Sequence, residues 1–166
     1  MRYNACMTKK KTTKTQCWLM KSEPDCYSID DLKRDNTEHW DGTRNYQVRN
    51  MMRDDMQIGD MVLFYHSNTK VIGVVGTMKV VSEAYPDPTQ FDPKSEHPDP
   101  KSDPENPRWL CVDVQFQSKF PRTVSLAEIK IDPLFATMPL VKKGNRLSVM
   151  PIAKRHYDAI VKMAGV

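Results

Sequence analysis

The stretch from Gly59 to Val81, GDMVLFYHSNTKVIGVVGTMKVV, decides how the chain is read. Gly59-Asp60 is a turn signal, and Met61 to His66, MVLFYH, is the clearest strand in the sequence. A second β run, Val71 to Val81, follows. It is interrupted by Gly73 and Gly76, where a bulge or a close approach of another backbone is expected.

Working outward to the N-terminal side, Cys17-Trp18-Leu19-Met20 reads as a strand closed by the turn Lys21-Ser22-Glu23-Pro24. Ser28 is a good N-cap for a short helix ending near Asp35, with Asp30 and Asp31 in its first turn and Ile29 and Leu32 facing inward. After the turn Asp41-Gly42, Asn45 caps a helix running through Met52. Val48, Met51 and Met52 should face the core, with Arg44, Arg49 and Arg53 outward.

On the C-terminal side, residues 83–108 carry seven of the twelve prolines, which excludes helix and central strand, so a long functional or disordered loop is expected. From Trp109 to Phe120 β character resumes, with Leu110, Val112, Val114 and Phe116 on one face. Ser125-Leu126-Ala127-Glu128 is a capping box. Residues 146–151 read as a last strand, with Pro151 near the first turn of a C-terminal helix whose Ile152, His156, Ile160, Val161 and Ala164 share a stripe. The order β, α, α, β, β, loop, β, α, β, α predicts an α+β fold: a curved sheet or partial barrel with helices outside it.

Hydrophobic residues make up 39% of the 166 and charged residues 28%, as in an ordinary globular chain with one core. No apolar run approaches the roughly 18 residues of a membrane span. Residues 1–16, MRYNACMTKKKTTKTQ, lack the apolar segment of a signal peptide. They read as a disordered basic arm, with Met7 an alternative start, and residues 17–166 as the folded domain. A soluble intracellular protein is expected, cytoplasmic in a bacterium and nuclear in a eukaryote. The cysteines, Cys6, Cys17, Cys26 and Cys111, are too scattered for a zinc site or a disulfide framework, so no metal and no cofactor is expected. The net charge of +4 is uneven: residues 83–108 hold seven acids against three bases, which leaves +8 on the rest and suits an anionic partner such as nucleic acid.

Nucleotide-fold fingerprints are absent, with neither G-x-G-x-x-G nor a phosphate-loop lysine. A hydrolase would have to use Ser22 and His66, both at strand ends, without the G-x-S-x-G turn or an oxyanion loop. A pocket for a flipped base needs an aromatic wall, hydrogen-bonding groups for the base edge, and cations for the flanking phosphates. Trp40 sits among the polar residues His39, Asp41, Thr43, Arg44 and Asn45, which favours a pocket wall over the core and predicts that its truncation spares the fold. The strand ending Tyr65-His66-Ser67-Asn68 presents further hydrogen-bonding side chains.

WLMKSEPDCYSIDDL, WDGTRNYQVRN, GDMVLFYHSN, YPDPTQFD, PRW and NRLSVMP, in this order, resemble the EVE domain family over about residues 17–164. The resemblance implies a PUA-like fold, a curved β barrel flanked by helices and related to YTH domains, which read methylated adenine in an aromatic cage. It also implies binding of modified bases, modified cytosine included, with Lys21-Ser22 and Trp40 matching the Lys-Ser and Trp of YTH domains. The second cage wall has no counterpart in sequence, and Tyr65, Tyr85 and Phe91 are candidates. The resulting expectation is a monomeric, non-enzymatic module that binds DNA or RNA carrying a modified base. Lys21, Ser22, Glu23, Trp40, Asp41, Asn45, Tyr65 and Ser67 would contact the base, and Arg44, Arg49, Arg53 and Arg146 the phosphates. The alternative is a protein–protein adaptor that offers the proline-rich loop to a partner, with the Ser22/His66 hydrolase behind it.

Overall fold

The structure, a computed structural model, describes residues 14–166; most of the expected basic arm lies outside these residues. Six strands form one sheet in the order β2-β7-β4-β3-β1-β8. They are β1 (Cys17–Ser22), β2 (Thr37–His39), β3 (Met61–His66), β4 (Gly73–Val80), β7 (Asp113–Ser125) and β8 (Val149–Ile152). A two-stranded ribbon joins β5 (Tyr85–Pro86) to β6 (Leu110–Cys111). The helices are α1 (Ile29–Asp35), α2 (Tyr46–Asp54), α3 (Leu126–Ile131) and α4 (Lys154–Met163). All neighbours in the sheet are antiparallel except β1 and β3, which run parallel at its centre.

Both central strands are covered on both faces, which is why they read as continuous apolar runs. Trp18, Met20, Val62 and Phe64 pack with Ile29 and Leu32 of α1 and Val48, Met51 and Met52 of α2. Their alternate neighbours Cys17, Leu19, Leu63 and Tyr65 pack on the other face with Ile129 of α3, Phe135, and Ile160 of α4. The Gly59-Asp60 turn is tied to this core by a buried carboxylate: Asp60 accepts from the Trp18 indole N–H at 2.8 Å and from Gln57 N at 3.0 Å.

Curvature comes from bulges, one at Val75 of β4 opposite Phe64 and Tyr65 of β3 and two where β4 meets β7. The two strand glycines sit at these close approaches. A Cβ on Gly73 would lie 2.2 Å from the Val124 carbonyl oxygen, and one on Gly76 2.4 Å from that of Ser118. The PUA-like α+β arrangement is present as an open half-barrel with β2 and β8 at its edges, because the ladder does not close on itself.

The caps at Ser28, Asn45 and Ser125 stand where the sequence places them. Three boundaries differ. The short edge strand β2 carries no pattern long enough to read. The run from Trp109 breaks at Val112 and then continues to Ser125. Pro151 lies inside β8 and does not open α4, which is allowed because β8 pairs only with β1 and leaves its outer side free of ladder bonds.

Candidate functional site

Beyond the carboxyl end of β1 the chain leaves a cavity of about 590 Å³, within the range of small-ligand sites. Its first wall is the turn after β1. Glu23 O accepts from Cys26 N and Tyr27 N, both at 2.9 Å, and the Ser22 hydroxyl donates to Tyr27 O at 2.8 Å. Its second wall is the connection from β2 to α2, where Trp40 N donates to Val112 O at 2.8 Å and Asn45 Oδ1 caps α2 by accepting from Val48 N at 3.0 Å. That cap commits the carbonyl oxygen of Asn45 and leaves its amide N–H groups for the cavity it lines. Glu96 and His97 of the proline-rich segment and Ser148 before β8 complete the lining.

Trp40 belongs to both the wall and the core. It is only 8% exposed and packs edge-to-face on Phe64, with ring centroids 5.4 Å apart. The expectation of a wall that can be removed without cost to the fold is therefore corrected: its neighbours in sequence are polar, but its neighbours in space are Phe64 and the α2 core. Among the described residues nothing accepts from its indole N–H, which stays in reach of solvent.

The proline-rich segment is folded. Asp87 is fully buried and accepts from Gly42 N at 2.8 Å, Thr89 N at 2.8 Å, Thr89 Oγ1 at 2.6 Å and Arg44 Nη1 at 2.9 Å. Burial pushes its carboxyl up, but the bonds from Thr89, Arg44 and Gly42 prevail and hold it below the usual carboxylate range. Arg44 also donates to Thr89 Oγ1 and His97 O. Gly42 has a φ of +74°, and a Cβ there would meet the His97 ring at 2.5 Å, so this contact requires glycine. Further along, Gln90 bridges to Trp109 O at 2.9 Å and the Trp109 indole donates to Asp99 at 2.7 Å. Polar groups turned inward in this way hold the segment against the domain.

Of the residues expected from sequence, the fold brings Lys21, Ser22, Glu23, Trp40, Asp41, Arg44 and Asn45 to the one cavity. It does not bring Tyr65, which is buried on the other face of the sheet with its phenol pushed up to about 12 by burial. Ser67 is also outside the lining, where its backbone N donates to Ser22 O. Tyr85 is not itself in the lining but stands directly behind it, its hydroxyl 2.5 Å from Asp113 and 2.6 Å from Nδ1 of the lining residue His39, and Phe91 lines a separate groove among prolines. The three arginines do not share a helix face. Arg44 precedes α2 and clamps Asp87, Arg49 lies over the Tyr46 ring, and Arg53 pairs with Asp54 at 2.8 Å. Arg146 is exposed two residues from Ser148. Not assigned to the site from sequence were Tyr27, Glu38, Glu96, His97 and Ser148, and His39 was named only as a polar neighbour of Trp40. Tyr27 packs against the core just ahead of the Ser28 cap, the apolar position of a helix staple, and that signal was available. His39 is oriented by Asp113 at 2.9 Å, and that hydrogen bond holds its imidazole above the ordinary value.

The cavity is acidic. Glu23, Glu38, Asp41 and Glu96 line it, against Lys21 and an Arg44 already neutralised by Asp87. Burial pulls the Lys21 ammonium down, and the Asp41 carboxyl is pushed up, first by desolvation and then by the charges of Asp87 and Glu38. Asp41 accepts no hydrogen bond from the described residues. An aromatic wall beside unsatisfied acceptors suits a flat heterocycle bearing N–H donors, while the carboxylates repel phosphate. A Ser22–His66 nucleophile pair is not assembled, because the Ser22 proton goes to Tyr27 O and His66 Nε2 accepts from Ile29 N at 3.1 Å.

A half-barrel with helices on both faces and a cavity past a strand end has the form of a PUA-like domain. The chain belongs to the EVE domain family, whose pattern matches residues 16–163. It is 42% identical to Thymocyte nuclear protein 1 of Gallus gallus over 90% of this chain and 69% of that protein. The structure of human THYN1 protein in complex with 5-methylcytosine-containing DNA superposes with a TM-score of 0.84 at 40% identity, covering 90% of this chain and 98% of that one. The YTH domain of Zygosaccharomyces rouxii MRB1, in complex with N6-methyladenosine RNA, matches at a TM-score of 0.53 and 15% identity over 93% of this chain and 89% of that one, which shows the shared fold.

Proposed function

We propose that this protein is a non-enzymatic reader of nucleic acid that takes one modified base, flipped from its strand, into the cavity beyond β1. The observation that carries the proposal is the pairing of the Trp40 wall with unsatisfied acceptors in a cavity of about 590 Å³. Trp40 stacks on the base. Asp41, Glu23 and the lone pairs of Ser22 accept from its edge, and Lys21 and the Asn45 amide donate to it. The phosphates stay outside the acidic cavity, on Arg146 and its exposed neighbours Lys142 and Lys143. The crystallised complex of human THYN1 protein with 5-methylcytosine-containing DNA supports modified cytosine as the first base to test, in DNA or RNA.

The test is a binding titration with oligonucleotides, single-stranded and duplex, that differ only at one central base: cytosine, 5-methylcytosine, adenine or N6-methyladenine. Tighter binding of one modified base over its parent is expected, together with loss of that preference in Trp40→Phe, whose smaller ring leaves the wall incomplete. Ser22→Ala should cost about 0.5–1.5 kcal/mol of binding and abolish no reaction. Equal affinity for all four bases would overturn the reading, as would product formation that disappears in Ser22→Ala.

A further inference from the structure

At the first residue of α2, directly after the cavity-lining pair Arg44-Asn45, stands Tyr46, 53% exposed. An aromatic residue so open on a helix that buries Val48, Met51 and Met52 contributes little to the core. Yet its ring is held. Trp109, itself 6% exposed, packs against it with ring centroids 4.8 Å apart and a tilt of 32°. Arg49, one turn on, places its guanidinium carbon 4.7 Å from the ring centroid. Arg44 lies 5.7 Å from the Trp109 ring, so two arginines and two aromatic rings form one stack beside the cavity mouth.

Of the two arginines, Arg44 is paired with Asp87, whereas Arg49 carries a charge that no described residue neutralises. Arg49 has no carboxylate partner among the described residues and donates only to Asn50 Oδ1, at 2.8 and 3.1 Å, and to Arg108 O at 3.3 Å. Of its five N–H groups, three are used and two stay free. A guanidinium fixed over an exposed ring offers a flat surface for a base and donors for a phosphate at once. The cavity itself is acidic, so a strand delivering a base to it must place its next phosphate on a cation outside.

We propose that Tyr46, braced by Trp109 and capped by Arg49, is a second nucleotide-binding ledge. It takes the nucleotide next to the one in the cavity, base or sugar against the Arg49–Tyr46 unit and phosphate on Arg49. The proposal extends the base-reading function and rests on the strand entering the cavity beside α2.

The test compares the wild-type chain with Tyr46→Ala, Tyr46→Leu and Arg49→Gln on three probes. These are the nucleoside 5-methyl-2′-deoxycytidine, a nine-nucleotide DNA strand with a central 5-methylcytosine, and the same strand with cytosine. Removing the ring should weaken binding of both strands about tenfold, in line with one base-stacking contact, and leave nucleoside binding unchanged. Arg49→Gln should weaken the strands and lower the slope of log affinity against log salt by about 0.7. Tyr46→Leu keeps an apolar neighbour for Trp109, so a loss shared by Ala and Leu is loss of the ring and not of packing. Strand affinity untouched by all three changes, or a loss equal for nucleoside and strand, would overturn the ledge. If the strands depend on Tyr46 but methylated and plain cytosine bind alike, the ledge stands and the cavity reading falls. If the methyl preference persists without dependence on Tyr46, the ledge falls and the cavity reading stands. No binding of any probe overturns both.

Discussion

Trp40 concentrates two demands in one side chain. Its edge-to-face contact with Phe64 and its 8% exposure make it core, while its lining position makes it the wall of the cavity. Trp40→Ala should therefore lower the unfolding free energy by about 3–5 kcal/mol, read by urea denaturation, as well as abolish binding. A change under about 1 kcal/mol would place the indole outside the core. His66 gives a pH signature. Its Nε2 accepts from Ile29 N at the start of α1, so the fold needs the neutral ring, and burial pulls its imidazole below the ordinary value. A depressed folded pKa means that the stabilisation is complete above about pH 6.5 and is lost as pH falls through the folded value. The buried His156 is shifted in the same direction by its own burial. Between pH 7 and pH 5 the urea midpoint should fall, and it should fall less in His66→Gln, whose amide oxygen accepts without titrating. An identical fall in both would remove His66 from the account.

Among the elements, the segment 83–108 depends on a single buried carboxylate. Arg44 reaches Asp87 across 43 positions of sequence, and the same carboxylate holds Gly42 and Thr89. Removing one partner of a buried pair strands the other charge, so Asp87→Ala should cost about 3–5 kcal/mol. It should also free the exposed Lys94 and Lys101 for tryptic cleavage at native conditions. Because the Asp87 carboxyl is held low in the fold, this contribution is present above the ordinary carboxylate value and is lost as pH drops below it. A variant as resistant to trypsin as the wild type would show that the ribbon β5–β6 and Gln90 anchor the segment without the ion pair.

For the whole molecule the charge distribution sets the binding mode. Acids line the cavity, while Lys142, Lys143 and Arg146 are exposed on the segment leading to Ser148 and carry no carboxylate partner among the described residues. Affinity for single strands should fall steeply with salt. Replacing these three cations with Gln should reduce the slope of log affinity against log salt by about 2, at about 0.7 per phosphate contact. Preference for a modified base should survive, since no member of the trio lines the cavity. A slope that does not change would move the phosphate contacts elsewhere.

Local rules determined much of this protein from its sequence alone. Ser28, Asn45 and Ser125 cap their helices, Gly59-Asp60 turns, MVLFYH extends, and Gly73 and Gly76 admit a neighbouring backbone. In each case the interacting atoms lie within a few residues or the constraint acts on one backbone position. What only the tertiary structure decided are the relations between distant residues. The parallel pairing of β1 with β3, buried on both faces, sends Tyr65 to the face opposite Trp40, and no local pattern distinguishes one face of a doubly covered strand from the other. Arg44 reads as a phosphate ligand until Asp87 arrives from the far side of a proline-rich segment to claim it. Trp40 reads as a wall until Phe64 is brought beneath it. Sequence names the groups that can bond; only the packed chain selects which partner each one meets, because burial makes an unmet polar group or an empty space too costly to keep.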